Sequence, residues 1–103
     1  MTDALLLLST FPNPDKAGEI ARILVEEGLA ACVNIVPTVR SIYRWEGKVT
    51  DDSETLALIK TTAERYDALA ARLIGLHPYE VPELIAFTIE GGHPPYLAWL
   101  AGG

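Results

Sequence analysis

The sequence is poor in cysteine and in positive charge. Cys32 is its one cysteine among 103 residues, so an internal disulfide and a zinc site made of Cys-X-X-Cys pairs are both excluded. Eight Lys and Arg residues stand against 14 Asp and Glu residues, which gives a formal net charge of −6. Because proteins that bind nucleic acids neutralise phosphates with basic side chains, the charge balance argues against a nucleic-acid partner.

Long hydrophobic runs are also missing. No apolar run approaches the about 20 residues of a transmembrane helix. The apolar run Leu5–Leu8 lacks the basic flank and the cleavage site of a signal peptide. We therefore expect a cytoplasmic protein that does not enter a membrane. Half of the residues are nevertheless hydrophobic, which is a high fraction for so small a monomer, and we expect an oligomer to bury part of that surface.

Recognisable catalytic motifs are absent as well. The sequence has no phosphate-binding glycine loop, no HExxH motif and no Ser/His/Asp grouping at a known spacing. The acidic run at residues 51–54 lacks the glycine-centred spacing of a calcium loop, and it is interpreted as a solvated bend. We therefore expect a protein that is not an enzyme.

Periodicity predicts one domain over residues 1–103 with the element order β-α-β-β-α-β and a terminal helix. The apolar run Ala4–Phe11 favours a central strand, and Asn13 followed by proline is typical of a helix start. Gly28 is placed to end that helix in the left-handed conformation. Thr61 and Glu64 have the spacing of a capping box for the second helix. Residues 30–62 predict two long strands joined by a tight turn, the first over residues 31–45 and the second most apolar at residues 55–59. A fourth strand is predicted over residues 84–89, and a short helix from residue 94 is expected to direct Tyr96, Leu97 and Leu100 inward.

This element order is typical of an α+β, ferredoxin-like split βαβ sandwich. The fold predicts the sheet order 4-1-3-2, with the second strand on an edge. Pro37 lies inside that strand, and proline is tolerated on edge strands or at bulges, so its position agrees with the predicted order.

The second and third strands predict a β-hairpin that is too long for its own domain. At ~3.3 Å per residue, the strand over residues 31–45 would be roughly 50 Å long. A compact domain of this length has a radius of gyration near ~13 Å. The hairpin, turning at Glu46-Gly47, should therefore project and expose Tyr43 and Trp45. Exposed aromatic residues on a strand edge favour assembly with further copies of the chain.

Five ordered motifs resemble the CutA divalent-cation-tolerance family. They are LAACVN at residues 29–34, SIYRWEGK at 41–48, KTT at 60–62, HPYEVPE at 77–83 and YLAWL at 96–100. The resemblance implies a ferredoxin-like fold, a tight homotrimer related in architecture to the PII signalling trimers, and a role in tolerance to copper and other divalent metals.

The resemblance also implies where copper would bind. In some family members a cysteine late in the first strand and two adjacent histidines hold the metal. These positions fall on Ser9, Leu76 and His77, of which only His77 is a competent copper ligand. We take His77, with Cys32 or a group from a neighbouring subunit, as candidate metal ligands. The alternatives are that His77 hydrogen-bonds within its proline-rich loop and that Cys32 is a small buried hydrophobe.

The remaining candidates are the large or polar residues of the motifs. They suit packing at a subunit interface, with Lys60 paired to a carboxylate such as that of Glu83, or they suit a cleft between subunits. We thus predict a trimeric tolerance protein that binds copper or another divalent metal weakly. The alternative is a PII-like regulatory module that binds a small metabolite, with an anion or a nucleotide as the expected ligand. The interface or cleft candidates are Asn34, Tyr43, Trp45, Lys60, Tyr79, Glu83 and Trp99.

Overall fold

The chain folds into a four-stranded antiparallel sheet with two helices packed on one face. The computed structural model describes residues 3–102. The sheet order β2-β3-β1-β4 confirms the predicted topology, with β2 on an edge. The strands are β1 (Ala4–Phe11), β2 (Cys32–Trp45), β3 (Lys48–Thr62) and β4 (Ile85–Thr88), and the helices are α1 (Pro14–Glu26), α2 (Tyr66–Leu76), which follows a 3-10 turn at Ala63–Arg65, and α3 (Pro94–Leu100).

Helix α1 begins and ends as the sequence predicts. The side chain of Asn13 accepts a hydrogen bond of 2.8 Å from the backbone N–H of Lys16, which satisfies one free donor of the first turn. Past the last turn, Gly28 takes a φ of +73°, a conformation that side chains with a Cβ disfavour. These two ends set the length of the crossover that returns the chain to β2.

The hydrophobic core lies between α1, α2 and one face of the sheet. Side chains alternate between the two faces of a strand. Leu7 and Phe11 of β1 and Ile59 of β3 therefore point to the same side, where each is almost fully buried. Against them pack Ala17, Ile20 and Leu24 of α1 and Leu69 and Leu73 of α2.

The opposite face of the sheet, which we call the open face, remains largely uncovered. Directly paired residues share a face, and the pairs Lys60 with Cys32 and Leu6, and Leu6 with Phe87, define one row across it. Phe87 is 50% exposed. The open face consists of Leu6, Leu8, Cys32, Asn34, Val36, Leu56, Leu58, Lys60, Ile85 and Phe87.

Strands β2 and β3 continue past the rest of the sheet as a two-stranded ribbon over residues 39–54. The last pair that β1 makes with β3 joins Phe11 to Thr55, so beyond it the ribbon pairs only with itself. Its turn has positive φ values at Glu46 and Gly47, as a two-residue hairpin turn requires. The molecule measures 44 × 25 × 22 Å, with a radius of gyration of 14.3 Å. The predicted projecting hairpin is confirmed.

Pro37 marks the base of the ribbon. The register between β2 and β3 shifts between Val36 and Val39, as expected for a bulge at a proline. The hydroxyl of Thr55 donates a hydrogen bond of 2.7 Å to the Pro37 carbonyl, which anchors the bulge to β3.

Two local predictions were wrong. The Thr61 hydroxyl donates to the carbonyl of Leu29 at 2.7 Å, and the turn before α2 has no side-chain cap, so the capping box with Glu64 does not form. The acidic run at residues 51–54 is continuous strand rather than a bend. Cross-strand partners hold it, since Arg40 donates two hydrogen bonds to Asp51 at 2.9 and 2.6 Å.

The two glycines of the α1 region should respond oppositely to alanine. Gly28→Ala should lower the free energy of unfolding by about 1 kcal/mol, because a Cβ is strained at positive φ. Gly18→Ala, inside α1 where a Cβ meets no atom within 4 Å, should raise it by roughly 0.5–1 kcal/mol. Urea denaturation of both variants measures the changes, and equal signs would contradict this account of the helix end.

Candidate functional site

A cleft of about 750 Å³ opens between the ribbon and the loop of residues 77–83 that follows α2. Ser41, Tyr43 and Trp45 lie on one face of β2 because strand residues alternate, and this face forms one wall. The loop forms the opposite wall with Pro78 and with its carboxylates. The full lining consists of Thr10, Ser41, Ile42, Tyr43, Trp45, Glu54, Pro78, Tyr79, Glu80, Val81 and Glu83.

Two tyrosine–carboxylate pairs organise the polar groups of this cleft. The Tyr79 hydroxyl donates to a Glu54 carboxylate oxygen at 2.8 Å, and the Tyr43 hydroxyl donates to Asp52 at 3.1 Å. Burial, with the hydrogen bond to Glu54 as the next cause, raises the pKa of Tyr79. The hydrogen bond to Asp52 is the main cause that raises the pKa of Tyr43. Both phenols therefore stay protonated, and the Tyr79 bond ties the loop to the base of the ribbon.

His77 is buried behind the cleft, and both of its ring nitrogens are engaged. Nδ1 accepts a hydrogen bond from the backbone N–H of Tyr79 at 3.1 Å, so the ring proton is on Nε2, which donates to the carbonyl of Thr10 at 2.8 Å. The ring stacks on Phe11, with ring centroids 4.6 Å apart. Burial lowers the pKa of His77, although the Thr10 carbonyl and Glu54 act in the opposite direction. Local hydrogen bonding thus occupies this candidate ligand.

Cys32 lies at the other end of the sheet from His77. It begins β2 on the open face, where its thiol is 3.8 Å from the side-chain oxygen of Asn34. Its row crosses β1 at Leu6, whereas His77 contacts Thr10, four positions further along β1. Four strand residues span about 13 Å. The structure therefore does not bring Cys32 and His77 together within one chain.

The remaining predicted residues form a second cluster near Cys32. The Lys60 ammonium lies 3.3 Å from the hydroxyl of Tyr96 and 5.6 Å from the centre of its ring. The Tyr96 and Trp99 rings are 5.6 Å apart. Asn34 is one row away from Lys60 on the open face. Lys60 thus contacts Tyr96 rather than Glu83, which lines the cleft.

Sequence reasoning missed the roles of Glu54 and Tyr96. Glu54 was assigned to a solvated bend, and Tyr96 was expected to point inward, whereas it is exposed. Strand alternation is the signal that identifies Glu54. Once residues 51–54 are read as strand, Asp52 and Glu54 must share the face of their cross-strand partners, Ser41 and Val39.

The copper positions that the family resemblance implies do not fit a copper ion in this chain. Ser9 is fully buried, and its hydroxyl donates to the carbonyl of Glu83 at 2.7 Å. Leu76 has no ligand atom, and His77 uses both nitrogens. Within residues 3–102, no group of three or more His, Cys, Asp and Glu side chains could hold a metal ion. Copper binding by His77 or Cys32 stays a prediction.

Comparison with known proteins gives consistent similarities. The sequence model of the family described as "CutA1 divalent ion tolerance protein" matches residues 5–102. The divalent-cation tolerance protein CutA of Thermus thermophilus is 52% identical over 95 residues, which are 92% of each chain. Mouse protein CutA is 52% identical over 91 residues, and the match covers 88% of this chain. It covers only 51% of the mouse protein, so this chain spans about half the length of that relative.

Solved structures extend the similarity to the fold. The structure of the divalent cation tolerance protein from Thermus thermophilus superposes with a TM-score of 0.92 at 50% identity and covers 95% of both chains. The CutA structure from Xylella fastidiosa gives a TM-score of 0.93 at 45% identity, covering 96% of this chain and 95% of its own. Among residues 3–102, no helix is both long and apolar enough to cross a membrane.

The burial of His77 predicts a pH dependence of stability. The unfolded chain binds the His77 proton more readily than the folded chain, because the folded-state pKa lies below the ordinary value of 6.5. Stability should therefore be full above pH 6.5 and fall as the pH drops from 6.5 towards the folded-state pKa. Thermal unfolding followed between pH 8 and pH 5.5 measures it.

His77→Gln should flatten that dependence, since glutamine keeps a donor and an acceptor but does not titrate. His93→Gln is the matched control, because His93 is exposed at the start of α3. Equal slopes in the native protein and in His77→Gln would show that another group causes the effect.

Proposed function

The chain belongs to the CutA1 divalent ion tolerance family, and from that premise we propose that it acts in the response to divalent metal ions as a homotrimer without enzymatic activity. The observation that carries the proposal is the open face. Its apolar side chains form a continuous surface that α1 and α2 cannot reach, since both helices pack on the other side of the sheet. An apolar surface of this kind marks an interaction site.

The ribbon supports assembly as well. Ile42 and Val49 on it are about two-thirds exposed, and Trp45 is nearly half exposed. Burying a large apolar side chain contributes roughly 1.5–3 kcal/mol. Sister chains that cover the open face and the side of the ribbon that carries Ile42 and Val49, opposite the cleft wall, would supply stability that a domain of this size has little of on its own.

Metal binding, in this proposal, is weak and depends on assembly. One chain offers no convergent ligand set among residues 3–102. Cys32 is partly exposed on the open face, so residues of a second copy could complete a site around its thiol. We propose a cytoplasmic setting, although the names of two relatives place the Arabidopsis protein in the chloroplast and the Archaeoglobus protein in the periplasm.

A charge placed on the open face should break the trimer. Phe87→Asp is expected to convert trimer to monomer at micromolar concentration, because an aspartate would be desolvated in the interface. Ile74→Asp is the matched control, since Ile74 is 52% exposed on α2 against 50% for Phe87. Sedimentation equilibrium measures the mass. A native protein that is monomeric, or equal loss in both variants, would refute the open face as the interface.

Metal binding should depend on Cys32 more than on His77. Calorimetry with Cu²⁺ and with redox-inert Zn²⁺ should show weak binding that Cys32→Ser removes and His77→Gln leaves in place, because His77 already uses both nitrogens. Loss of binding in His77→Gln alone would instead assign the metal to the loop. No binding in the native protein would remove direct metal contact from the proposed function.

A second candidate function is the binding of a small ligand in the cleft. Its volume of about 750 Å³ lies within the range of about 300–1,000 Å³ that small-molecule sites occupy. Polar groups with perturbed pKa values converge on it, as in many binding sites. A titration followed by Trp45 fluorescence tests this function, since a ligand in the cleft changes the surroundings of that indole.

A further inference from the structure

We propose that the cleft binds an organic ammonium cation, whose protonated or methylated nitrogen lies against the rings of Tyr43, Trp45 and Tyr79 and near the cleft carboxylates. This inference rests on the second candidate function, and it names the chemical class of the ligand.

The sign of the ligand follows from the charges of the lining. Three of the eleven lining residues are glutamates, Glu54, Glu80 and Glu83, and none is Lys, Arg or His. Asp52 adds a fourth carboxylate through its contact with Tyr43. The formal net charge of −6 attracts cations from a distance. A phosphate or a nucleotide would meet repulsion without any basic partner, so the cleft does not suit the anion that the sequence led us to expect.

The rings give the cleft its preference for an organic cation. Alternation along β2 directs Tyr43 and Trp45 to the same wall, and both rings are more than 40% exposed. Tyr79 faces them from the loop, close enough for Tyr43 to contribute to the raised pKa of Tyr79. Cations are attracted to aromatic faces within about 6 Å, and methylated ammonium groups are the functional example.

A metal ion fits this lining less well. The carboxylates line one cleft, yet within residues 3–102 no three His, Cys, Asp or Glu side chains are close enough together to hold an ion. One oxygen of Glu54 already accepts the Tyr79 hydrogen bond. Carboxylates that are spread around a large cavity suit a cation with delocalised charge and an apolar surface, whereas a small ion needs convergent oxygens.

Fluorescence of Trp45 tests the proposal directly. In a Trp99→Phe background Trp45 is the only tryptophan, so any change of emission reports on the cleft. Choline chloride is expected to give saturable quenching. Its uncharged isostere 3,3-dimethyl-1-butanol should bind at least about fivefold more weakly, since it lacks the charge that the rings and carboxylates attract. Inorganic phosphate and Mg²⁺ should give no saturable change. Choline should also produce saturable quenching in the native protein.

A charge-removing variant separates electrostatics from shape. Glu54→Gln keeps an acceptor for the Tyr79 hydroxyl and should weaken choline binding about five- to tenfold. Glu64→Gln removes the same charge at an exposed position outside the cleft and should leave binding unchanged. Thermal unfolding confirms that each variant is folded, and Glu83→Gln replaces Glu54→Gln if the latter is not.

The outcomes distinguish the ligand class from the cleft itself. Equal binding of choline and its isostere, or equal effects of the Glu54 and Glu64 variants, would overturn the proposal that the ligand is a cation. Saturable binding of phosphate alone would also overturn the cation, but it would support the second candidate function, the binding of a small ligand in the cleft. No response to any probe, as expected if a second copy fills the cleft, would overturn both.

Discussion

One-sided burial of the sheet is the constraint on which the rest of this structure depends. A strand sends alternate side chains to opposite faces, and within residues 3–102 only two helices are long enough to cover one of them. Leu7 and Ile59 meet those helices, while their neighbours Leu6 and Leu58 are left on the other side. The proposed assembly follows from this uncovered face, because apolar surface that a chain cannot bury by itself favours contact with another molecule.

The same alternation organises the cleft. Asp52 continues the alternation of Leu56 and Leu58 along β3, so the face that carries Tyr43 and Asp52 lies on the side of the sheet that α1 and α2 do not cover. The loop after α2 reaches that face, and the hydrogen bond from Tyr79 to Glu54 holds it there. His77 supports the loop from behind through Thr10 and Phe11. The cleft thus forms because the ribbon extends past the four-stranded part of the sheet and because the loop after α2 is held against the ribbon.

The element order and the helix start could be predicted because they depend on local patterns, and the sheet order followed from the fold that this element order indicates. Asn13, Gly28 and the turn at Gly47 act through neighbouring backbone, which sequence shows directly. The site was harder to predict. Lys60 contacts Tyr96, which is 36 positions away in the sequence, and Tyr79 contacts Glu54, which is 25 positions away. Such contacts depend on the register between strands and on the path of the loops. The bulge at Pro37 shifts the register between β2 and β3. Counting residues along β2 therefore could not place Glu54 beside the cleft residues before β3 was known to be one continuous strand.

Pro37 also limits how another strand can pair with the exposed edge of this sheet. The outer side of β2 offers a row of backbone donors and acceptors, which is the template on which fibrils propagate. The bulge next to Pro37 offsets the parts of the strand on either side of it. A foreign strand could therefore match only half of β2 at a time, which protects a long and apolar edge from amyloid growth while the chain is still alone.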